Sequence, residues 1–257
     1  LNDDRIITQA TKDAITAAIQ RGAIITLATG RMYASAKKVA RQLELNVPLI
    51  TYQGSLVKNL LDEQVLYERY VPRNAAMQIF DYAYKHGLQL QAYHEDMLYT
   101  REFNAKVADY VDMNQVPYIV EPDFDKLLDK RLTKLLIIDE PDYLDRLKAE
   151  WEPLIGAEVH LTKSKPYFLE FLHKEGTKGH AVKFLANHYG FDLSEVIAIG
   201  DAWNDHEMVE IAGLGVAMGN AIPALKHIAD YITLSNNDDG VKHVIEKFIL
   251  HPQEVRG

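Results

Sequence analysis

The sequence contains no cysteine among its 257 residues, which excludes disulfide bonds, thiolate metal sites and cysteine nucleophiles. It has no apolar run close to the roughly 18 residues that a membrane-spanning helix needs. Its first residues do not resemble a signal peptide. These features are typical of a cytoplasmic protein, and we expect that location and no membrane partner.

Basic residues are also in deficit. Lys and Arg number 28 against 37 Asp and Glu, so the formal net charge is −9. Proteins that bind nucleic acid usually carry a basic face, so we expect no nucleic-acid partner. The hydrophobic content of 47% is ordinary for a globular protein. The length allows either one large α/β domain or two smaller domains.

Helical and strand patterns alternate in the first part of the chain. Apolar residues recur at helical spacing over residues 8–21, and a buried strand is predicted over residues 23–28. A second helix is predicted over residues 33–43 and a second strand over residues 48–52. Strands and helices that alternate in this way form βαβ units with a parallel sheet.

The pattern changes after Gly54, where a predicted hairpin precedes a long stretch in which helices mix with alternating strands. This stretch is typical of an inserted α+β domain. The first pattern resumes near Thr177. We therefore predict a core domain made of residues 1–72 and 173–257, interrupted by an α+β domain over residues 73–172.

Residues 198–205 are the most informative stretch for chemistry. An apolar strand there delivers Asp201, Asn204 and Asp205 to a turn that opens a helix. Oxygen donors in such a loop suit Mg²⁺ better than Zn²⁺, which favours metal-assisted phosphoryl chemistry. A glycine turn whose Asp and Asn residues cap the next helix is the structural alternative, and the motif alone does not decide between them.

Two further segments could bind a phosphate. Residues 28–31 follow a predicted strand and open a helix, so the Thr29 hydroxyl and the next amides can donate to a phosphate oxygen. Lys178 begins a predicted helix, where an ammonium group is unfavourable unless an anion lies close. A capping threonine and a solvated lysine are the structural alternatives.

Together these segments resemble the Cof-type branch, with a class IIB cap, of the haloacid dehalogenase superfamily. The motifs that carry the resemblance are Ala28-Thr29-Gly30-Arg31, Lys178-Gly179, Gly200-Asp201-Ala202-Trp203-Asn204-Asp205, Val216-Ala217-Met218-Gly219-Asn220-Ala221 and Asn237-Asp238-Asp239-Gly240-Val241. The resemblance covers nearly all of the chain. It implies an α/β fold whose Rossmann-like parallel core carries an inserted α+β cap. It also implies a Mg²⁺-dependent phosphatase that hydrolyses small phosphorylated metabolites, such as sugar phosphates, through an aspartyl-phosphate.

Seven residues receive roles from the resemblance. The catalytic, substrate-binding and metal-binding sets are, in that order, Thr29 and Lys178; Gly30, Arg31 and Asn204; and Asp201 and Asp205. The family's nucleophilic aspartate lies in an Asp-x-Asp-Gly-Thr motif that this sequence does not contain. Relatives carry that motif just before a segment like residues 1–4, so we expect a preceding strand and loop to supply it. Without them we expect an inactive and poorly stable chain.

Several alternatives stay open. Asp123-Phe124-Asp125 has the letters of a nucleophile motif, but a turn and helix cap is the favoured interpretation. Gln53 stands where relatives often carry Asn, which we interpret as a tolerated loop change. Residues 93–96, with the nearby Tyr99, are interpreted as a strand, a turn and a strand with packed aromatic rings. A phosphotransferase or mutase, and a non-catalytic binding module, are the alternative functions; the sequence predicts neither the exact substrate nor the oligomeric state.

Overall fold

A computed structural model describes residues 1–252 of the chain. The helices are α1 (Gln9–Gln20), α2 (Tyr33–Gln42), α3 (Arg73–Lys85), α4 (Ala105–Asn114), α5 (Pro141–Ile155), α6 (Lys178–Tyr189), α7 (His206–Ile211), α8 (Pro223–Ile228) and α9 (Gly240–Ile245). The strands are β1 (Leu49–Thr51), β2 (Leu56–Lys58), β3 (Val65–Glu68), β4 (Gln89–His94), β5 (Met97–Thr100), β6 (Tyr118–Val120), β7 (Lys134–Ile138), β8 (Val159–Lys165), β9 (Phe168–His173), β10 (Ile197–Gly200), β11 (Leu214–Ala217) and β12 (Tyr231–Ile232). Among these residues no helix is both long and apolar enough to cross a membrane.

The strands pair in three sheets. One is a parallel ladder in the order β10-β11-β12, and a second is antiparallel in the order β1-β2-β3. The third is a six-stranded sheet in the order β6-β5-β4-β7-β9-β8, which is antiparallel except between β5 and β6. The predicted α/β class with a parallel sheet is therefore confirmed, whereas the boundaries of the inserted domain remain a prediction.

Local chemistry explains the ends of α1. Thr8 precedes the helix, and its side-chain oxygen accepts a hydrogen bond from the Thr11 amide at 3.1 Å, so one of the orphan donors of the first turn is satisfied. Gly22 follows the helix with a φ of +92°, a conformation that is costly for other residues. The buried face of α1 consists of Ala14, Ile15 and Ala18, at the predicted helical spacing.

The strand predicted over residues 23–28 is largely wrong. Only one parallel bridge forms there, between Ala28 and Ile50, with hydrogen bonds from Ile50 N to Leu27 O and from Thr29 N to Ile50 O, both 2.9 Å. Ile24 is 40% exposed. Within residues 1–252 the segment has a strand on one side only, and β10 is likewise paired only with β11. An apolar run favours burial, but a strand also needs partners for its backbone groups.

Other predicted elements lie close to their expected positions. The hairpin after Gly54 forms as β2 and β3, and the predicted strand over residues 231–234 shortens to the two residues of β12. Asp123 precedes a short 3₁₀ helix, Phe124–Asp129, but the predicted cap is wrong, because the Asp123 side chain makes no capping hydrogen bond.

The six-stranded sheet packs directly on the rest of the molecule. One hydrophobic cluster contains Ala14 and Tyr33 together with Tyr93 and Phe168 from the six-stranded sheet. The Tyr52 and Tyr93 rings meet edge to face with their centroids 5.9 Å apart. The two parts of the chain therefore share buried apolar surface beside residues 52–54.

The turn between β4 and β5 supplies a cap for α2. Residues 93–96 form the predicted strand and turn, but Asp96 also reaches the first turn of α2. Its Oδ2 accepts from the Ala34 amide and its Oδ1 from the Tyr52 hydroxyl, both at 2.8 Å. A carboxylate at a helix N-terminus is favourable because it meets the positive end of the helix dipole, so Asp96 fastens the six-stranded sheet to α2.

Asp96 is expected to make the unfolding free energy depend on pH. Burial raises the pKa of Asp96 and outweighs the hydrogen bonds from Tyr52 and Ala34, which lower it. The folded protein therefore holds this proton more tightly than the unfolded chain, in which an aspartate has a pKa of about 3.9. The contribution of Asp96 to the unfolding free energy is fully present below the pKa of the unfolded chain. It is lost as the pH rises through the pKa of the folded protein.

Urea unfolding across this pH range tests the expectation. Asp96→Asn should flatten the fall in unfolding free energy that the wild type shows above about pH 4. The exposed Asp109 offers a matched control, because Asp109→Asn should leave the pH profile unchanged. Identical profiles for wild type and Asp96→Asn would contradict the assignment.

Candidate active site

Asp205 holds the shape of the loop that follows β10. The residue is 3% exposed, and its Oδ2 accepts hydrogen bonds from the amides of Asp201 at 2.8 Å and Ala202 at 3.0 Å. Its Oδ1 accepts from Lys178 Nζ at 2.5 Å. Because a carboxylate has about four lone-pair sites, these bonds leave Asp205 little capacity for a metal, and they favour a loop-shaping role.

Lys178 begins α6 and is buried. Thr177 caps this helix, since its Oγ1 accepts from the His180 amide at 3.2 Å. A lysine in the first turn of a helix is unfavourable unless an anion lies close, and Asp205 is such an anion. Gly54 packs against the same helix start, where a Cβ atom would lie 2.0 Å from Thr177 O. Only glycine fits that approach, which brings residues 52–54 beside Lys178.

Asp201 and Asn204 are the remaining polar residues of the loop. Asp201 is exposed, yet partial desolvation of its carboxyl group, followed by the nearby Asp205, raises its pKa. Asn204 donates from Nδ2 to Gln53 Oε1 at 2.7 Å. Its Oδ1 is buried and takes no hydrogen bond from the described residues.

Residues 29–31 form a tight turn beside the same loop. Thr29 Oγ1 accepts from the Arg31 amide at 3.2 Å, and Thr29 O accepts from the Gln53 amide at 3.1 Å. Gly30 lies against Gln53, where a Cβ atom would meet Nε2 at 2.3 Å. Partial burial, followed by the charge of Arg5, lowers the pKa of Arg31.

Hydrogen bonds connect the predicted site residues across the fold. The Gln53 amide donates to Thr29 O, and the Gln53 side chain accepts from Asn204. The loop that contains Asn204 also contains Asp205, which accepts a hydrogen bond from Lys178. Four segments that are distant in sequence therefore meet at one place. Arg31 joins this set through its backbone, since its carbonyl oxygen accepts a hydrogen bond from the Tyr52 amide.

The sequence favours a tolerated loop change at Gln53, but the structure gives its side chain hydrogen bonds to two other segments. Tyr52 and Gln53 both adopt positive φ angles, of 50° and 62°, in a region that non-glycine residues rarely enter. Gln53 Nε2 donates to Glu170 Oε2 at 2.5 Å. Glu170 Oε1 in turn accepts from Lys134 Nζ at 2.9 Å. Such backbone strain is common at functional sites, where the surroundings hold it in place.

A cleft of about 210 Å³ opens beside Lys178 and Asn204. Trp203, from the loop after β10, and His160, from β8, contribute to its wall. Burial lowers the pKa of His160, so its imidazole is neutral at pH 7. Sequence reasoning missed His160 because a lone histidine within an alternating strand carries no distinguishing signal.

The donor set fits Mg²⁺ better than a histidine-rich metal centre. Residues 1–252 contain no group of three or more His, Cys, Asp or Glu that could hold a metal. Mg²⁺, however, is usually bound through one or two carboxylates, with water and phosphate oxygens completing its octahedron. The Asp201 carboxylate is an oxygen donor of this kind. Oδ1 of Asn204, which has no partner among the described residues, can accept a hydrogen bond from a water of such a hydration shell.

Comparison with known proteins gives consistent matches. Residues 1–245 match the family described as haloacid dehalogenase-like hydrolase. A Streptococcus pyogenes protein named as a candidate phosphatase is 34% identical, and the match covers 98% of this chain and 95% of that protein. A Bacillus subtilis protein named 5-amino-6-(5-phospho-D-ribitylamino)uracil phosphatase is 28% identical, with coverage of 96% and 93%. A solved haloacid dehalogenase subclass IIB sugar phosphatase has a TM-score of 0.82 at 25% identity, with coverage of 93% and 91%.

Proposed function

The chain belongs to the haloacid dehalogenase-like hydrolases of the Cof type and is a phosphoric monoester hydrolase, and we propose that it hydrolyses small phosphorylated metabolites, such as sugar phosphates, with Mg²⁺. The observation that carries the proposal is the hydrogen-bond network that joins Thr29, the loop of residues 201–205 and Lys178. Lys178 and Asn204 also line one cleft. The similarity to a sugar phosphatase and to a ribitylaminouracil phosphatase supports the substrate class.

The roles of the residues follow from the needs of phosphoryl transfer. This reaction depends mainly on alignment and on stabilisation of charge at the phosphoryl oxygens. The Thr29 hydroxyl and the Gly30 amide would donate to such oxygens, whereas the Arg31 amide is already bound to Thr29 Oγ1. Lys178 would add a buried positive charge. Mg²⁺, held by Asp201 with Asn204 in support, would neutralise further charge on the phosphate.

The proposed reaction has two displacements. A carboxylate attacks phosphorus, and the substrate alcohol leaves with a proton from a general acid, which yields an aspartyl-phosphate. Water then attacks the same phosphorus after losing a proton to the general base, and the carboxylate and inorganic phosphate are released. We assign neither aspartate to a residue of this sequence, because it contains no Asp-x-Asp-Gly-Thr motif.

The six-stranded sheet is proposed to act as the cap. It covers the cleft from the side of β8, and exclusion of water by such a cover strengthens electrostatic interactions inside the site. His160 and Trp203 would face the leaving group. A phosphotransferase or mutase would use the same site with a different acceptor hydroxyl.

Phosphate release from small esters tests the proposal. The protein expressed from its complete gene should release inorganic phosphate from p-nitrophenyl phosphate and from a panel of sugar phosphates. Chelation with EDTA should abolish the activity, and added Mg²⁺ should restore it, because metal-bound phosphate oxygens lose their counter-charge on chelation. A phosphorylated acceptor in place of inorganic phosphate would favour the phosphotransferase. No turnover of any ester with Mg²⁺ present would overturn the proposal.

A further inference from the structure

A buried ion pair in the six-stranded sheet reaches the candidate active site. Lys134 on β7 and Glu170 on β9 are 1% and 2% exposed and 2.9 Å apart. Burial by itself lowers the pKa of Lys134, but Glu170 and Tyr110 together outweigh this effect and the pKa stands above its usual value. Lys134 is therefore charged at neutral pH, and its 2.9 Å contact with Glu170 is that of a salt bridge between an ammonium group and a carboxylate. A pair so deeply buried contributes little net stability compared with apolar residues, so its presence needs another explanation.

The ion pair determines the direction of two hydrogen bonds, the one between Glu170 and Gln53 and the one between Gln53 and Asn204. An ionised glutamate can only accept, so Gln53 must turn its Nε2 toward Glu170. Its Oε1 then faces Asn204, which must donate from Nδ2. The Asn204 carbonyl oxygen is left as a buried acceptor without a partner among the described residues.

We propose that Lys134 and Glu170, acting through Gln53, orient the carboxamide of Asn204 so that the site presents a hydrogen-bond acceptor to its ligand. Lys134, Glu170 and Gln53 are then positioning residues. The group recognised is a hydrogen-bond donor, either a hydroxyl of the phosphate ester or a water in the hydration shell of the metal ion. The identity of the ligand rests on the proposed phosphatase function, whereas the orientation of Asn204 does not.

Local geometry at Gln53 supports this role. A shorter asparagine enters the left-handed region more easily, yet this chain carries glutamine there with a φ of 62°. The longer side chain spans from Glu170 to Asn204, with bonds of 2.5 and 2.7 Å at its two ends. Gly30 leaves the space for it, because any Cβ atom would collide with its amide.

Glu170→Gln should reverse the chain of bonds. The new amide accepts from Lys134 through its oxygen and donates to Gln53 through its nitrogen, so Gln53 and Asn204 both turn over. The site then presents an N–H group in place of a carbonyl oxygen. We expect kcat/KM for phosphate esters to fall about tenfold to a hundredfold, the loss typical of an unsatisfied polar contact.

Asn204→Asp should restore activity that Glu170→Gln has lost. As a single substitution, Asn204→Asp places a carboxylate against the Gln53 oxygen, and activity should fall. Combined with Glu170→Gln, the carboxylate accepts from the reversed Gln53 and offers its second oxygen to the ligand. We expect the double variant to be about tenfold more active than Glu170→Gln alone. Losses that simply add would overturn the proposal, because independent structural damage is additive.

Gln53→Met is the matched control. Methionine has a similar length and carries no amide, so it interrupts the chain of bonds while the ion pair stays in place. In a protein that carries Gln53→Met, Asn204→Asp should change kcat/KM by the same factor whether or not Glu170→Gln is also present. A shift of KM at saturating Mg²⁺ assigns the donor to the ester, and a shift of the Mg²⁺ concentration for half-maximal activity assigns it to the hydration shell; both support the proposal.

A readout without activity separates this proposal from the phosphatase function. The side-chain amide NMR signals of Gln53 and Asn204, assigned by their loss in Gln53→Met and Asn204→Asp, should exchange slowly with solvent in the wild type. In Gln53→Met the Asn204 signal should exchange at least about tenfold faster, because its acceptor is gone. An unchanged rate would overturn the proposal even if Glu170→Gln does not fold. Slow exchange in a protein without phosphatase activity would leave the proposal standing and refute the function.

Discussion

Lys178→Met is expected to lower kcat/KM for phosphate esters by about three orders of magnitude, a loss at the upper end of those seen when one preorganised donor is removed. The Lys178 ammonium is buried, so water does not screen its charge as it would at the surface. It lies 2.5 Å from Asp205 and lines the cleft with Asn204. Steady-state kinetics on a purified, folded variant measures the effect.

Two controls separate catalysis from folding. Lys183 lies exposed on the same helix, so Lys183→Met should keep both activity and stability near the wild-type values. Lys178→Arg retains the charge but moves it, and it should recover only part of the activity. A folded Lys178→Met protein with wild-type kcat/KM would remove Lys178 from the proposed mechanism.

Asp205→Asn is expected to lower the unfolding free energy by about 3 to 5 kcal/mol, because it leaves Lys178 as an uncompensated buried charge. An asparagine oxygen still accepts from the loop amides of Asp201 and Ala202, so the loss reports mainly on the ion pair. Urea unfolding measures it. On α7 the exposed Glu210 is a suitable control, and Glu210→Gln should change the unfolding free energy by no more than about 0.5 kcal/mol.

The double variant Lys178→Met with Asp205→Asn distinguishes stability from function. Since both charges are then gone, we expect most of the lost unfolding free energy to return, whereas activity should stay at the level of Lys178→Met. If the double variant were less stable than Asp205→Asn alone, the ion pair would not be the source of the loss.

Much of the secondary structure could be predicted because it depends on near neighbours in the chain. Helix α1 follows from apolar residues at helical spacing, a threonine before it and Gly22 after it. The loop of residues 201–205 and the start of α6 at Lys178 also lie where sequence patterns predict them. Capping, turn geometry and periodicity are interactions over a few residues.

The candidate site was predictable only in part. Residue type, order and family resemblance select Thr29, Lys178 and Asp201. They do not reveal that Asp205 is the counter-ion of Lys178, 27 residues away. Nor do they reveal that Gln53 contacts Glu170, 117 residues away. Contacts at such separations depend on how whole elements pack.

Local sequence thus determines which segments become helices, turns and strands of given polarity, because short-range backbone and side-chain preferences act before distant parts meet. Tertiary packing decides which strands pair and which polar and charged groups become hydrogen-bond partners. It leaves residues 23–28 with a single bridge despite their apolar run, and it places a buried ion pair of the six-stranded sheet behind Asn204. The physical reason is that hydrogen-bond partners and buried charges are satisfied only in three dimensions, by groups whose positions no local pattern encodes.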